Sequence, residues 1–282
     1  MPFKEKLARS LFFLAAVLSA AVTLAVLGFM IALSLPVLKK AALWDILSAP
    51  WSPDHGQFGI LAMIVGTLCI ALFSLCISFP LSLGCALFIE VTRPGGPGKV
   101  LKKIVQLMTA IPTVIYGFVG VFLLVPIVRE IFVYGSGMSI LSASLMLGLL
   151  ISPTMILFFS QSFARVPQSD LNAVDALGGN TVQKLWYVML PHAWRGILTG
   201  IILSFGRAMG DTLIALMISG NSIALPSSVL DSARTLTAHI ALIIAADFDS
   251  IEFKILFICG ITLYGMTSCG ILLARGLDRK PR

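Results

Sequence analysis

Inside an otherwise uncharged run, Gly206-Arg207-Ala208-Met209-Gly210-Asp211-Thr212 sets one cation and one anion four residues apart. Residues at i and i+4 share a helix face, so this spacing predicts that Arg207 and Asp211 pair on one helix. An Arg at mid-bilayer costs about 2.5–3.5 kcal/mol on insertion scales, so such a residue faces a bundle interior or an aqueous path. Its planar fork suits an oxyanion, which it binds with two parallel hydrogen bonds. Two readings stand on the residues alone: charges that line a path for an anion, or an ion pair that only fixes helix packing. Gly196/Gly200 and Gly206/Gly210 are both small-xxx-small pairs, and they predict close approach of this helix to its neighbours.

A second constellation lies in the polar island Ala164–Arg195, which carries Arg165, Asp170, Asp175, Lys184, His192 and Arg195. Here Asn172-Ala173-Val174-Asp175-Ala176-Leu177-Gly178 is followed by Val188-Met189-Leu190-Pro191. The pattern predicts two short amphipathic helices, bent at Gly178-Gly179, the second stopped before Pro191. Lying on a membrane surface, such a hairpin turns Leu171, Val174, Leu177, Val182, Leu185 and Trp186 toward lipid. The remaining chemistry-bearing residues are sparse. Cys69, Cys76, Cys85, Cys259 and Cys269 all sit in apolar windows without metal spacing, and no metal site or catalytic residue is expected. His239 reads as a packing or hydrogen-bonding residue. Gly95-Gly96-Pro97-Gly98-Lys99-Val100 lacks the first Gly and the Ser/Thr of a phosphate-binding loop. No hydrolytic triad or carboxylate pair is present, so the chain is not expected to be an enzyme.

The elements that must position these residues are membrane spans. Of 282 residues, 58% are hydrophobic and only 12% charged, and the mean hydropathy is +0.99. A soluble domain carries roughly 25% charged residues. Apolar runs predict six spans: 11–33, 59–87, about 105–128 (interrupted by Pro112), about 140–163, 196–219 and 253–274. The fold expected is all-α, a polytopic membrane helical bundle of six transmembrane helices. Trp44 and Trp51 follow the first span and suit the headgroup level. A short helix is expected near Leu236–Ala245. Six spans put both termini on one side. Lys and Arg number 14 on that side, which includes the Asn172 loop, against five (Lys39, Lys40, Arg129, Arg234, Lys254) on the other. The bias places the loop and both termini in the cytoplasm. The net charge of +7 belongs to this topology rather than to a nucleic-acid surface, and no nucleic-acid partner is expected.

The pattern Asn172-Ala173-Val174, Gly178, then Val188-x-Leu190-Pro191 resembles the EAA loop of ABC importer permeases, with Asn172 where Glu is usual. Further matches narrow the resemblance to phosphate-specific permeases, PstC-like rather than PstA-like. They are Trp51-x-Pro53 with Phe58-Gly59, Gly66-Thr67-Leu68, Ile111-Pro112-x-Val114-x-Tyr116-Gly117, Gly206-Arg207-Ala208-x-Gly210-Asp211-Thr212, Gly220-Asn221, and Leu236-Thr237-Ala238-x-Ile240-Ala241. The family usually has Glu where this chain has Asp211. The resemblance covers roughly residues 50–275 and implies the type I importer permease fold in the plasma (inner) membrane. It implies a division into an N-terminal helix and outer loop (1–58), a five-helix permease core (59–275) with a coupling loop at 164–195, and a basic tail (276–282). It implies that Arg207, Asp211 and Thr212 line a phosphate path, and that Asn172, Ala173, Val174, Asp175, Gly178, Val188, Leu190 and Pro191 engage an ATPase. The implied partners are a PstA-like second permease, an ATPase dimer that binds ATP and Mg, an extracytoplasmic phosphate-binding protein and the lipid bilayer; no cofactor is expected in this chain. The rival readings are a permease for sulfate or molybdate, an ion-coupled transporter or channel without an ATPase, and a membrane scaffold.

Overall fold

The computed structural model describes residues 3–38, 43–92, 95–248 and 250–278. Lys39, Lys40, Arg93, Asp249 and the basic tail beyond Asp278, which enter the charge count, lie outside the described residues, as do the side chains of Lys4 and Lys6. Among the described residues six helices are long and apolar enough to cross a membrane: Leu7–Leu38, Leu61–Val91, Thr113–Phe132, Ile140–Ala164, Thr181–Gly210 and Ile251–Leu273. They belong to α1 (Phe3–Leu38), α3 (Leu61–Leu87), the run α5–α6 (Thr113–Val119 and Val125–Phe132), α7 (Ile140–Ala164), α10 (Leu190–Gly210) and α13 (Ile251–Asp278). Smaller elements fill the ends: α2 (Leu43–Ser48), a two-residue antiparallel pair β1 (Trp51–Ser52) and β2 (Gln57–Phe58), α4 (Gly96–Thr109), α8 (Gln168–Ala176), α9 (Thr181–Gln183), α11 (Leu213–Ile218) and α12 (Leu236–Ile243).

The bundle is built around α7. In its most apolar stretch 72% of the residues are buried, against none in the corresponding stretch of α1, which touches the bundle along α13 and turns the rest of its surface outward. With lipid on one side and apolar helices on the other, hydrophobicity alone cannot hold α7 in place, and small residues and hydroxyls do the work. Toward α3, Ser82 Oγ donates to the Ser152 carbonyl at 3.3 Å and Ser144 Oγ to the Ile70 carbonyl at 3.4 Å. Pro153 interrupts α7 and leaves the Leu149 carbonyl without its helical N–H; Ser152 Oγ donates to that carbonyl at 3.0 Å. Toward α10, a Cβ at Gly196 would overlap Ser162 Oγ, and one at Gly200 would press on Phe158 and Phe159. The first small-residue pair therefore packs as expected. The second does not: Gly206 and Gly210 meet nothing within 4 Å, because they lie on a face of α10 turned away from the one that buries Ala208 and Met209.

Two span boundaries differ from the sequence reading. The third span does not start near Val105. Residues 96–109 form the separate amphipathic helix α4, which exposes Lys99 and Lys103 and buries Val105. Pro112, with ψ 142°, turns the chain before α5 begins at Thr113, since a proline cannot continue the ladder of the helix before it. Lys102 binds Glu90 at 2.8 Å, and Ser160 donates to the same carboxylate, so α4 is clamped to the ends of α3 and α7. The fifth span stops at Gly210 rather than Ser219, and a break at 211–212 separates it from α11.

The segment between α11 and α12 folds back over one end of the bundle. Asp231 organises it: Oδ2 accepts from Ser227 N, Ser227 Oγ and Ser228 N at 2.8–2.9 Å, while Tyr134 Oη donates to Oδ1 at 3.0 Å. These donors lower the Asp231 pKa from 3.8 to about 2. Thr235 caps α12 by accepting from Ala238 N, and Leu236 N donates to Thr67 Oγ1 of α3. Trp44 is 75% exposed, but Trp51 is only 7% exposed, so only the first behaves as a headgroup-level residue. Trp51 packs instead against the edge of His239, at 4.4 Å between centroids. His239 is buried, as a packing residue should be. Burial and the Arg234 charge push its pKa down to about 4, which keeps the ring neutral.

Replacing Gly196 by Leu should lower the thermal stability of the detergent-purified protein by about 1–3 kcal/mol through overpacking against Ser162, whereas Gly206→Ala, in a helix interior with open space around it, should not lower it. The Asp231 clasp carries a pH signature. Its pKa is lower folded than unfolded, so its stabilisation is complete above about pH 4 and is lost as pH falls toward 2. Hydrogen exchange of the Ser227 and Ser228 amides should accelerate over that interval beyond its intrinsic pH dependence, and in Asp231→Asn the extra acceleration should vanish.

Candidate functional site

Arg207 occupies the last turn of α10. The expected ion pair with Asp211 on one helix face does not form, and no salt bridge joins them among the described residues. The reason is local. The helix ends at Gly210, Asp211 is extended (φ −71°, ψ 130°), and the i,i+4 relation lapses with the helix. Asp211 Oδ2 instead accepts from Ile214 N at 2.9 Å and caps α11, a role for which a short acidic side chain is well suited. The Asp211 carbonyl, which no longer has a helical donor, accepts from Thr237 Oγ1 at 2.8 Å. Arg207 Nη1 donates to Thr154 Oγ1 of α7 at 3.2 Å.

Around this break lies a cavity of about 330 Å³, lined by Thr113, Leu150, Arg207, Gly210, Asp211, Thr212 and Leu213. The three residues expected on a solute path, Arg207, Asp211 and Thr212, are thus brought to one concavity, although not by the helix-face geometry that suggested them. Two further hydroxyls belong to the site: Thr113 on its wall and Thr154 behind Arg207. Each follows a proline inside an apolar run, Pro112 and Pro153, and that recurrence is the sequence signal that points to them. One guanidinium bonded to a neutral hydroxyl, with two threonines on the same wall, can bind a small oxyanion and release it again.

The second constellation forms a hairpin. Gly178 (φ 76°) closes α8 in the left-handed conformation that glycine adopts without strain. Asn180 and Gln183 form a capping box that starts α9. Lys184 Nζ donates to Asp175 Oδ2 at 2.6 Å across the turn, and His192 Nε2 stands 3.3 Å from Asp170 Oδ2 at its base. Asn172 is exposed and accepts from Gln168 Nε2 at 3.0 Å; Ala173 is exposed beside it. Val174 covers Gly179, whose missing side chain makes room for it. The second helix does not stop before Pro191. It passes through a π-helical stretch, Lys184–Met189, and runs on into α10, with Pro191 in that helix's first turn. The ladder changes spacing there, so a residue without an N–H is tolerated.

The apolar face expected on lipid divides in two. Leu171, Leu185, Val188 and Leu190 pack against a core of Phe163, Met189 and Ala193. Leu177, 88% exposed, stands at the tip with Val182, Trp186 and Tyr187 also uncovered.

Residues 78–282 match the family described as binding-protein-dependent transport system inner membrane component. The probable ABC transporter permease protein YqgH of Bacillus subtilis is 32% identical over 238 residues, which span 83% of this chain and 77% of the relative. The phosphate transport system permease protein PstC of Pasteurella multocida is 30% identical over 210 residues (68% of this chain, 66% of the relative). PstC of Haemophilus influenzae is 28% identical over 252 residues (82% and 79%). Among solved structures, a bacterial alginate ABC transporter in complex with its alginate-bound periplasmic protein aligns with a TM-score of 0.67 at 15% identity, covering 98% of this chain and 97% of that one. The inward-facing MetNI methionine ABC transporter aligns with a TM-score of 0.60 at 18% identity, covering 78% and 96%. At such identities these structures share the fold, that of an ABC importer permease.

Proposed function

Because the chain belongs to the family of inner-membrane components of binding-protein-dependent transport systems, we propose that it is the permease subunit of an ATP-driven importer of inorganic phosphate. It is a multi-pass membrane transport subunit rather than an enzyme. The observation that carries the substrate reading is Arg207, a cation on a cavity wall in the bundle, bonded to a hydroxyl and to no carboxylate among the described residues. A fixed cation lowers the cost of bringing a phosphate anion out of water, and Thr113 and Thr212 offer the neutral hydrogen bonds that replace part of its hydration. The names of the PstC relatives favour phosphate over other oxyanions.

In this reading residues 1–58 are an N-terminal transmembrane helix with an extracytoplasmic loop, 59–275 the permease core and 276–282 a basic tail. The hairpin at 164–195 and both termini face the cytoplasm. An ATPase pair that binds ATP and Mg receives the hairpin tip. Asn172, Ala173 and Leu177 then enter the ATPase cleft. Val174, Asp175 and Gly178 shape the turn, and Val188, Leu190 and Pro191 join it to the Arg207 helix. A PstA-like permease supplies the other wall of the path, and a phosphate-binding protein docks on the outer segment around Asp231. Closing of the ATPase pair moves the hairpin, and alternating access follows from movement of the helices attached to it.

Arg207→Ala should reduce ATP-dependent phosphate uptake into vesicles by at least tenfold, on the order of 1.4 kcal/mol or more, while assembly with the ATPase is retained. Undiminished uptake would remove Arg207 from the path. Leu177→Asp should weaken docking by a similar factor, because a carboxylate would be buried in the interface. It should then lower ATPase copurification and uptake together; full uptake with this variant would show that the tip is not the coupling element.

A further inference from the structure

Asp211 poses a problem for an anion path. A carboxylate on the wall of a 330 Å³ cavity repels any anion that approaches the Arg207 side of it. Capping does not account for the charge, since Asn caps a helix as well as Asp does. The backbone N–H groups of Ile214 and Ala215 at the carboxylate also leave part of its acceptor capacity unused, because two oxygens offer about four acceptor directions. An ionised carboxylate only accepts hydrogen bonds. It is therefore matched to an oxyanion that carries a proton and mismatched to one that does not. Phosphate at neutral pH carries one or two P–OH groups, as does arsenate. Sulfate and molybdate are fully ionised and have no proton to give.

We propose that Asp211 makes the permease cavity itself selective for protonated oxyanions, with Arg207 binding one edge of the anion and the Asp211 carboxylate accepting its O–H. Phosphate gains a charge-assisted hydrogen bond from the residue that sulfate meets as an unrelieved negative charge. Discrimination of this kind is strong because the mismatched ligand leaves a buried polar group unpaired. The filter would act after release from the binding protein and independently of it. The proposal rests on the reading of this cavity as the phosphate path and adds to it the residue that sets specificity.

The test uses the assembled transporter in nanodiscs, without binding protein or nucleotide. Weak binding of inorganic phosphate is read from ³¹P line broadening, and the path-specific part is the part that Arg207→Ala abolishes. Millimolar arsenate should reverse the broadening and equimolar sulfate should not. In Asp211→Asn, which keeps an acceptor for Ile214 N, sulfate should compete at least tenfold better relative to phosphate. In Asp211→Glu the exclusion of sulfate should persist. Sulfate competition equal to that of phosphate in the parent protein, or sulfate exclusion unchanged in Asp211→Asn, would overturn the proposal while leaving Arg207 as an anion site. Absence of any broadening that depends on Arg207 would overturn the phosphate-path reading and this inference with it.

Discussion

A helix can break within a bilayer only where the backbone groups it frees find partners, and the break between α10 and α11 rests on two such bonds. The Asp211 carboxylate takes Ile214 N–H, and Thr237 Oγ1 donates to the Asp211 carbonyl. Unsatisfied, each group would cost several kcal/mol in a hydrocarbon setting. The second bond reaches from α12, so the outer segment that folds back over the bundle also secures the interior break. With the break in place, Arg207 ends a helix instead of lying within one, and Gly210 and Thr212 turn toward the same space. α11 is then free to pack on α5 and the π-helical turn that follows it, where Gly117 and Gly120 admit Met217 and Ile218. Closing the break into a continuous helix would remove the cavity.

The same helix reaches the other end of the molecule. From Thr181 to Gly210 the chain is helical for 30 residues, roughly 45 Å at the usual rise, and Pro191 does not interrupt it. The hairpin turn and Arg207 therefore sit near opposite ends of one element. In the proposed mechanism a displacement of the tip would reach the cavity without an intervening loop to absorb it. The π-helical stretch Lys184–Met189 is the irregular part of this element, and it lies where Leu185 and Val188 meet the core beside Phe163. Asp175–Lys184 and Asp170–His192 tie α8 to the same element, so the hairpin is a bent extension of the Arg207 helix.

Spans and the polar island were legible in the sequence, because each depends on composition over many residues, and Arg207 and Asp211 were legible as charges inside an apolar run. Mean apolarity over about 20 residues finds a span whatever its neighbours are. What was not legible depends on single hydrogen bonds between distant segments. Gly206-x-x-x-Gly210 has the pattern of a packing motif, yet it faces open space, since sequence does not tell which helix face meets a neighbour. Arg207 and Asp211 have helical spacing, and the helix ends between them because Thr237, 26 residues on, supplies a donor to the break. Pro112 has the place of an interruption inside a span and instead stands just before its start at Thr113; the three lysines of α4 are the available warning. Asn172 stands where the resembled loop usually has Glu, and the carboxylate nearest to it in sequence, Asp175, is engaged by Lys184.

The failure of the expected ion pair bears on how an anion could pass. Had Arg207 been bonded to Asp211, an entering phosphate would have had to displace a carboxylate from a guanidinium, a charge-assisted contact roughly twice as strong as a neutral one. Thr154 is the weaker competitor: its hydroxyl carries no countercharge, a single hydrogen bond to a charged group is worth about 1.5–3 kcal/mol, and the hydroxyl can turn to another acceptor when the anion arrives. The guanidinium is thus aimed without being neutralised. On the proposed path, departure would be eased by the same arrangement, since Thr154 can take back the donor and no second cation lines this wall among the described residues. Transit requires a site that attracts strongly enough to be entered and weakly enough to be left. A lone Arg held by a threonine, with a carboxylate nearby but unbonded to it, meets both conditions in a way that a closed salt bridge would not.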